Sequence, residues 1–173
     1  DIKEENLDVL QKFLQLCLDS GWSRVGVESG ELISKASEKL LGSEHKKTLN
    51  FLGFQALFLN NLAEYKKSLI INKRVLNLQE KLLGDTSVDT LTTVGNLGLL
   101  YYNKGDYEKS EVLYRRAVEG YKIVLGDEHP STLKCMGNLA LVFTNIANYG
   151  ESEKLYKTVL SKEEKIHGVN QIA

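Results

Sequence analysis

Apolar side chains recur along the chain at the three- and four-residue spacing of an amphipathic helix. One such stretch covers residues 90–104, and a second runs from Val112 to Val124. A polar break at Lys104, Gly105 and Asp106 separates the two stretches. This pattern predicts two antiparallel helices joined by a short turn.

The whole pattern returns at a constant interval of 42 residues. The interval is marked by four glycines and by columns of threonine, leucine, tyrosine and serine, namely Gly42, Gly84, Gly126 and Gly168; Thr48, Thr90 and Thr132; Leu49, Leu91 and Leu133; Tyr65, Tyr107 and Tyr149; Ser68, Ser110 and Ser152. A fixed period of this length is typical of a solenoid, in which each unit buries its apolar face only against its neighbours. We therefore predict an all-α chain, a right-handed α-α superhelix of about four helix-turn-helix repeats. The repeats are expected at about 4–42, 43–84, 85–126 and 127–168, within one solenoid.

Two sets of glycines are expected to serve different purposes. Gly42, Gly84 and Gly126 follow the second helix of a pair, where a left-handed C-cap requires no β-carbon. Gly95 and Gly137 lie inside a first helix. They either allow two helices to approach closely, which is the interpretation we favour, or leave room for the backbone of a ligand.

The side-chain pattern selects among the known helix-pair repeats. A 42-residue unit fits the period of HEAT and armadillo repeats, whereas the common tetratricopeptide period is 34. The tetratricopeptide signature of Leu-Gly-x2-Tyr, then a small residue and an aromatic residue, nevertheless occurs at 97–101, Ser110 and Tyr114. It is weaker in 43–84. In 4–42, Gly26 and Gly30 occupy the small and the aromatic position, so this repeat is interpreted as worn or terminal.

Residues 126–156 resemble the 42-residue tetratricopeptide units of kinesin light chains, through L-G-D-E-H-P-S-T-L followed by G-N-L-A, N-Y and E-K-L-Y. The resemblance extends over essentially the whole chain. It implies that the first helix of each pair lines a concave groove, and that Asn96 and Asn138 contact the ligand backbone. An asparagine amide suits this task because it both donates and accepts hydrogen bonds. Phe54 and Lys12 occupy the matching places and interrupt the asparagine series.

A second asparagine column, Asn61, Asn103 and Asn145, is visible without that resemblance. These residues either extend the binding surface or cap the first helices, because asparagine is favoured near helix ends. The column of Leu99 with its equivalents Leu57 and Leu141 supplies either groove floor or core, and burial habit favours core. Tyr102 and Lys134 are further candidates for the groove.

Composition excludes several functions. The formal net charge is −1, without the basic excess that nucleic acids require. No apolar run is long enough to span a bilayer, and Cys17 and Cys135 are isolated, which favours a cytoplasmic location. No catalytic motif, cofactor loop or metal-ligand spacing is present, so we expect no enzyme, no cofactor and no metal site. Residues 43–84 carry a basic excess, which is either a solvated face, the interpretation we favour, or a surface that steers an acidic peptide or partner segment.

The sequence thus predicts a protein interaction module that binds an extended peptide or partner segment in its groove. The alternatives are a structural spacer or self-association scaffold, and a sensor arm of a larger nucleotide-binding switch protein. No membrane partner is expected. The chain opens on Asp1 and is expected to be a fragment of a larger protein.

Overall fold

Eight α-helices form the structure, which is a computed structural model describing residues 2–169, with side chains through residue 166. A single 3-10 turn at Glu4–Asn6 precedes them. The helices are α1 Leu7–Asp19, α2 Ser23–Leu41, α3 Lys46–Asn61, α4 Tyr65–Leu83, α5 Val88–Asn103, α6 Tyr107–Leu125, α7 Pro130–Asn145 and α8 Tyr149–Val169. The described residues contain no strand, and the prediction of four helix pairs in an all-α chain is confirmed.

The chain divides into two compact units, one ending at Leu78 and the other beginning at Gln79. The division falls within α4. The first unit is built around a core of Leu7, Leu14, Cys17, Ile33, Phe51 and Phe58. The second buries the apolar faces of α5, α6 and α7, with its largest fully buried side chains at Tyr114, Phe143, Leu91, Leu100, Val94 and Val142. The expectation of one continuous solenoid stays a prediction.

A serine column joins the two helices of a pair. The hydroxyls of Ser68, Ser110 and Ser152 donate to the carbonyl oxygens of Ala56, Gly98 and Ala140, at 2.7, 2.8 and 2.9 Å. The acceptor residues are small because the helices cross closely here. A β-carbon at Gly98 would lie 3.1 Å from the ring of Tyr114. The small and aromatic positions of the predicted signature are thereby accounted for.

The glycines that follow the second helices have positive φ, as predicted, but their conformation is not the left-handed helical one. Gly42 has φ 93° and ψ 163°, and Gly126 has φ 91° and ψ 168°. This extended region with positive φ is open almost only to glycine. Thr132 donates its hydroxyl to the Gly126 carbonyl at 2.8 Å, which links the glycine and threonine columns. Helix α8 continues to Val169, so the helix does not end before position 168.

One turn position caps the first helix of three pairs. The Nδ1 atoms of His45 and His129 accept from the backbone N–H of Lys47 and Ser131, at 3.2 and 3.1 Å. Ser87 does the same with its hydroxyl oxygen in the pair between them. Both histidines are therefore N-cap residues, whose side chains satisfy an otherwise unpaired backbone donor.

Candidate functional site

Helices α5 and α7 each present one stripe of solvent-accessible side chains. The members are spaced by three and four residues, so that they share one helical face. They are Thr92, Asn96, Leu99 and Asn103 on α5, and Lys134, Asn138, Leu141 and Asn145 on α7. Both helices belong to the unit that begins at Gln79, and we call these eight residues the amide stripe.

The leucines of the amide stripe are not core residues. Leu141 is 43% exposed, and Leu99 is half-buried. The preference for a core position, drawn from the burial habit of leucine, is therefore wrong for Leu141. Repetition explains the error, because a column of leucines recurs whether the side chains face the interior or the solvent.

Asn145 connects α7 to α5 at one end of the amide stripe. Its Nδ2 donates to the Tyr102 hydroxyl at 3.0 Å and to the Leu141 carbonyl at 2.9 Å. The ring of Tyr102 in turn lies edge-on to Tyr107, with 5.6 Å between centroids. Asn145 is the last residue of α7 and satisfies a carbonyl of its final turn, although the C-cap residue is Ile146. Asn145 is therefore a helix-end residue that still exposes its side chain.

The other predicted asparagines differ in their exposure and in their contacts with the rest of the protein. Asn96 is half-buried, and its amide has no hydrogen-bond partner within the described part of the chain. Asn103 is exposed at the end of α5. Asn61 is also exposed, but it ends α3 in the other unit and does not join the amide stripe.

Asn138 has a structural neighbour, the buried side chain of Tyr114. Tyr114 is 1% exposed, and its hydroxyl makes no hydrogen bond of regular geometry to the described residues. Burial raises the pKa of Tyr114, and a marginal hydrogen-bond contact with the Asn138 side chain opposes that shift. Asn138 therefore faces both the solvent and a polar group of the interior.

The glycines inside the first helices leave open space. A β-carbon at Gly137 would meet nothing within 4 Å, and one at Gly95 would lie at an ordinary 3.8 Å from the Cys135 sulfur. The favoured interpretation of a close approach between helices therefore does not apply at Gly137.

The amide stripe carries a single charged side chain. Lys134 is exposed and is the stripe's charged residue. Burial raises the pKa of the neighbouring Cys135 thiol to about 11, and the positive charge of Lys134 acts in the opposite direction. Of the basic residues in 43–84, Lys67 pairs with Glu64 and Arg74 with Glu38.

Sequence reasoning did not single out Thr92 for this surface. Its hydroxyl hydrogen-bonds with the Tyr121 hydroxyl at 2.8 Å and donates to the Val88 carbonyl at the same distance. The helical spacing that connects Asn103, Leu99 and Asn96 leads to Thr92 one turn earlier and could have identified it.

The described residues hold no group of three or more histidine, cysteine, aspartate or glutamate side chains placed to bind a metal ion. None of the described helices combines the length and apolarity needed to cross a membrane.

The chain belongs to the tetratricopeptide repeat family. The family model described as Tetratricopeptide repeat matches residues 47–123 and 89–162, which together cover more than half of the sequence. Tetratricopeptide repeats generally mediate interactions between proteins. None of the curated proteins compared matches the chain.

Three solved structures illustrate the fold. The crystal structure of BtubC (BKLC) from P. vanneervenii is 20% identical with a TM-score of 0.80, and the match covers 94% of this chain and 65% of that one. The chain therefore spans about two thirds of that protein's length. Kinesin light chain TPR-like repeats from Podosopora anserina are 17% identical with a TM-score of 0.61, covering 93% and 96% of the two chains. A methionine variant of those repeats is 17% identical with a TM-score of 0.62, covering 96% and 99%. The predicted kinesin light chain type of tetratricopeptide repeat is confirmed at the level of the fold.

Proposed function

We propose that this chain binds an extended segment of another protein along the amide stripe of α5 and α7. The observation that carries the proposal is the repetition of Asn-Leu-Asn at one solvent-accessible face of both helices, at Asn96, Leu99 and Asn103 and at Asn138, Leu141 and Asn145. Buried side chains pack the other faces of these helices.

The chemistry of the stripe suits a peptide main chain. An amide side chain offers donors and an acceptor together, so it can pair with a backbone N–H and C=O whatever the ligand's side chains are. Asn96 is the best placed for this, since its own amide has no partner within the described structure. The leucines between the asparagines supply apolar surface for the ligand's alternate side chains.

The charge of the stripe favours a ligand with few charges and one acidic group. Lys134 lies one helical turn before Asn138, so an acidic residue near one end of the bound segment would meet it. The ion pairs of Lys67 and Arg74 reduce the contribution that residues 43–84 make to such steering.

The test begins with selection of binding peptides from a displayed library on the purified chain. Replacing Asn96 with alanine should weaken a selected peptide about tenfold, the cost of about one hydrogen bond, with an unchanged melting temperature. Asn77→Ala on α4 is the matched control, because Asn77 is exposed outside the stripe. Equal affinity of Asn96→Ala and the unaltered chain would rule out the proposed contact.

Asn138 needs a modified design because its loss also affects the buried hydroxyl of Tyr114. In a Tyr114→Phe background that hydroxyl is absent, so Asn138→Ala should then reduce affinity without a further loss of stability. A fall in melting temperature that matches the loss of affinity would assign Asn138 a purely structural role.

We further infer that the module is not an enzyme and works in a reducing compartment such as the cytoplasm. Both cysteines, Cys17 and Cys135, are buried free thiols. Assays of the isolated chain for hydrolase or transferase activity should show no turnover, and turnover lost with a point substitution would overturn this inference.

A further inference from the structure

The side chain of Asn145 has both of its amide hydrogens engaged within the protein. Its Nδ2 lies 2.9 Å from the Leu141 carbonyl oxygen and 3.0 Å from the Tyr102 hydroxyl oxygen. A side-chain amide nitrogen carries two hydrogens, so one hydrogen serves each contact. The orientation of the amide is fixed by chemistry, because the Leu141 carbonyl can only accept a hydrogen bond. The remaining polar atom of this side chain is therefore Oδ1.

The Oδ1 atom of Asn145 is an acceptor without a donor among the described residues. The Asn145 side chain is exposed, and so are its repeat equivalents Asn61 and Asn103, which means that exposure belongs to the whole column. The amide stripe contains no carboxylate. A neutral amide oxygen in this setting suits a neutral N–H donor, whereas ammonium and guanidinium groups form their stronger hydrogen bonds with ionised acceptors.

The ring of Tyr102 is held in place independently of Asn145. It lies edge-on to the ring of Tyr107, with 5.6 Å between centroids and 60° between the ring planes. Tyr107 is the first residue of α6, and the preceding Asp106 caps that helix by accepting from the backbone N–H of Lys109. The contact between α5 and α6 therefore presents the Tyr102 hydroxyl to α7.

The equivalent asparagine of α3 has no such hydroxyl beside it. The 42-residue register relates Asn145 to Asn61 and Tyr102 to Leu18. Leu18 has no polar side-chain atom, and the Asn61 amide has no hydrogen-bond partner within the described structure. Asn61 can turn either end of its amide towards a ligand, whereas Asn145 presents only its oxygen. This comparison attributes the fixed orientation of Asn145 to Tyr102.

We propose that Tyr102 is a positioning residue that makes Asn145 an acceptor only, whose Oδ1 receives a backbone N–H of the bound segment. The bound segment is the one proposed above, so this role of Tyr102 rests on that function. Asn96 has an amide without a partner and can pair with an N–H or a C=O, but Asn145 can pair only with an N–H. A segment with proline at that place is therefore excluded, because proline has no backbone N–H.

The first experiment measures affinity for a peptide selected by display on the unaltered chain and for its backbone esters. Each ester replaces one peptide N–H by oxygen. At one position the ester should cost about tenfold in affinity for the unaltered chain, and nothing further for Asn145→Ala, because the acceptor is already gone. Proline at the same position should be rejected by the unaltered chain.

The second experiment tests the positioning role with Tyr102→Phe, which removes the hydroxyl and keeps the ring. The selected peptide should bind about two- to threefold more weakly, since the amide then presents its oxygen for only part of the time. The same substitution should have no further effect in Asn145→Ala. Tyr107→Phe is the matched control, because the Tyr107 hydroxyl has no hydrogen-bond partner among the described residues, and it should bind as the unaltered chain does.

A third measurement needs no peptide. Nuclear magnetic resonance of the side-chain amides should show that the Asn145 hydrogens exchange with solvent severalfold more slowly than those of Asn61. Tyr102→Phe should accelerate exchange at Asn145 and leave Asn61 unchanged. Tyr107→Phe should alter neither rate. Loss of folding would instead accelerate exchange throughout the chain, so this readout separates positioning from stability.

The role of Tyr102 would be overturned if every ester cost the same in the unaltered chain and in Asn145→Ala. Affinity of Tyr102→Phe equal to that of Tyr107→Phe, or an equal loss when Asn145 is already alanine, would overturn it too. So would exchange at Asn145 as fast as at Asn61. If the selected peptide still depends on Asn96 in these cases, the proposed function stands and only the role of Tyr102 fails. A library that yields no binding peptide overturns both.

Discussion

At the residue scale, the turn between the two helices of each pair contains a residue with positive φ, which is glycine in two pairs and alanine in the other two. The equivalent positions are Gly21, Ala63, Gly105 and Ala147, with φ of 71°, 59°, 77° and 58°. For an L-residue with a β-carbon this left-handed conformation costs about 1–2 kcal/mol. The alanines therefore carry strain that the glycines at the same position avoid.

Replacing Ala147 with glycine should stabilise the chain by about 0.5–1 kcal/mol, because relief of the strain exceeds the larger entropy that glycine loses on folding. The reciprocal change, Gly105→Ala, should destabilise it by a similar amount. Urea denaturation followed by circular dichroism measures both free energies of unfolding. A loss of stability in Ala147→Gly would contradict the strain argument.

The sequence indicates the positive φ at these turn positions only in part. A turn was expected at Gly105, since glycine is typical of positive φ. Ala63 and Ala147 give no such signal by residue type, although the 42-residue column that they share with Gly105 does. Their conformation follows from the repeated turn and not from the residue itself.

At the element scale, glycine inside a helix has opposite consequences in α2 and α7. A β-carbon at Gly26 would lie 2.4 Å from the ring of Phe58, which is fully buried and cannot move aside freely. At Gly137 a β-carbon would meet nothing within 4 Å. Both residues lie within regular helix, so the helical preference for alanine is the same at the two sites.

Gly26→Ala should therefore destabilise the chain by about 1–3 kcal/mol through overpacking. Gly137→Ala should stabilise it by about 0.5–1 kcal/mol through helix propensity. The denaturation midpoints of the two variants, for transitions of equal slope, give the difference in their free energies of unfolding. Similar shifts of the same sign would show that the joint between α2 and α3 adapts to the added methyl group.

The positions of the helices could be predicted closely from the sequence. Whether a repeated column of side chains faces the core or the solvent could not. The stretch 90–104 corresponds to α5, Val88–Asn103, and its earlier start follows from the N-cap at Ser87. Leu141 shows the limit. An apolar column indicates a shared environment, but only the packing of the neighbouring helices decides whether that environment is core or surface. The contact between Asn138 and Tyr114 likewise depends on that packing.

At the scale of the whole molecule, each compact unit contains one buried free cysteine. Cys17 belongs to the core cluster that includes Phe58, in the unit ending at Leu78. Cys135 is 7% exposed in the unit beginning at Gln79. Repeat arrays are stabilised mainly by contacts between neighbours, so a local lesion can open one region ahead of another. The two thiols are reporters of that opening.

Phe58→Ala should destabilise the first unit by about 3–5 kcal/mol, because it removes a fully buried ring. We expect alkylation of Cys17 by iodoacetamide to accelerate strongly while Cys135 stays protected, with its raised pKa of about 11 lowering its reactivity further. Mass spectrometry of proteolytic peptides measures the two rates separately. Leu139→Ala is the reciprocal variant, since Leu139 is 4% exposed in the second unit, and it should accelerate Cys135 in preference to Cys17. Equal acceleration of both thiols in both variants would mean that the chain unfolds as a single cooperative body.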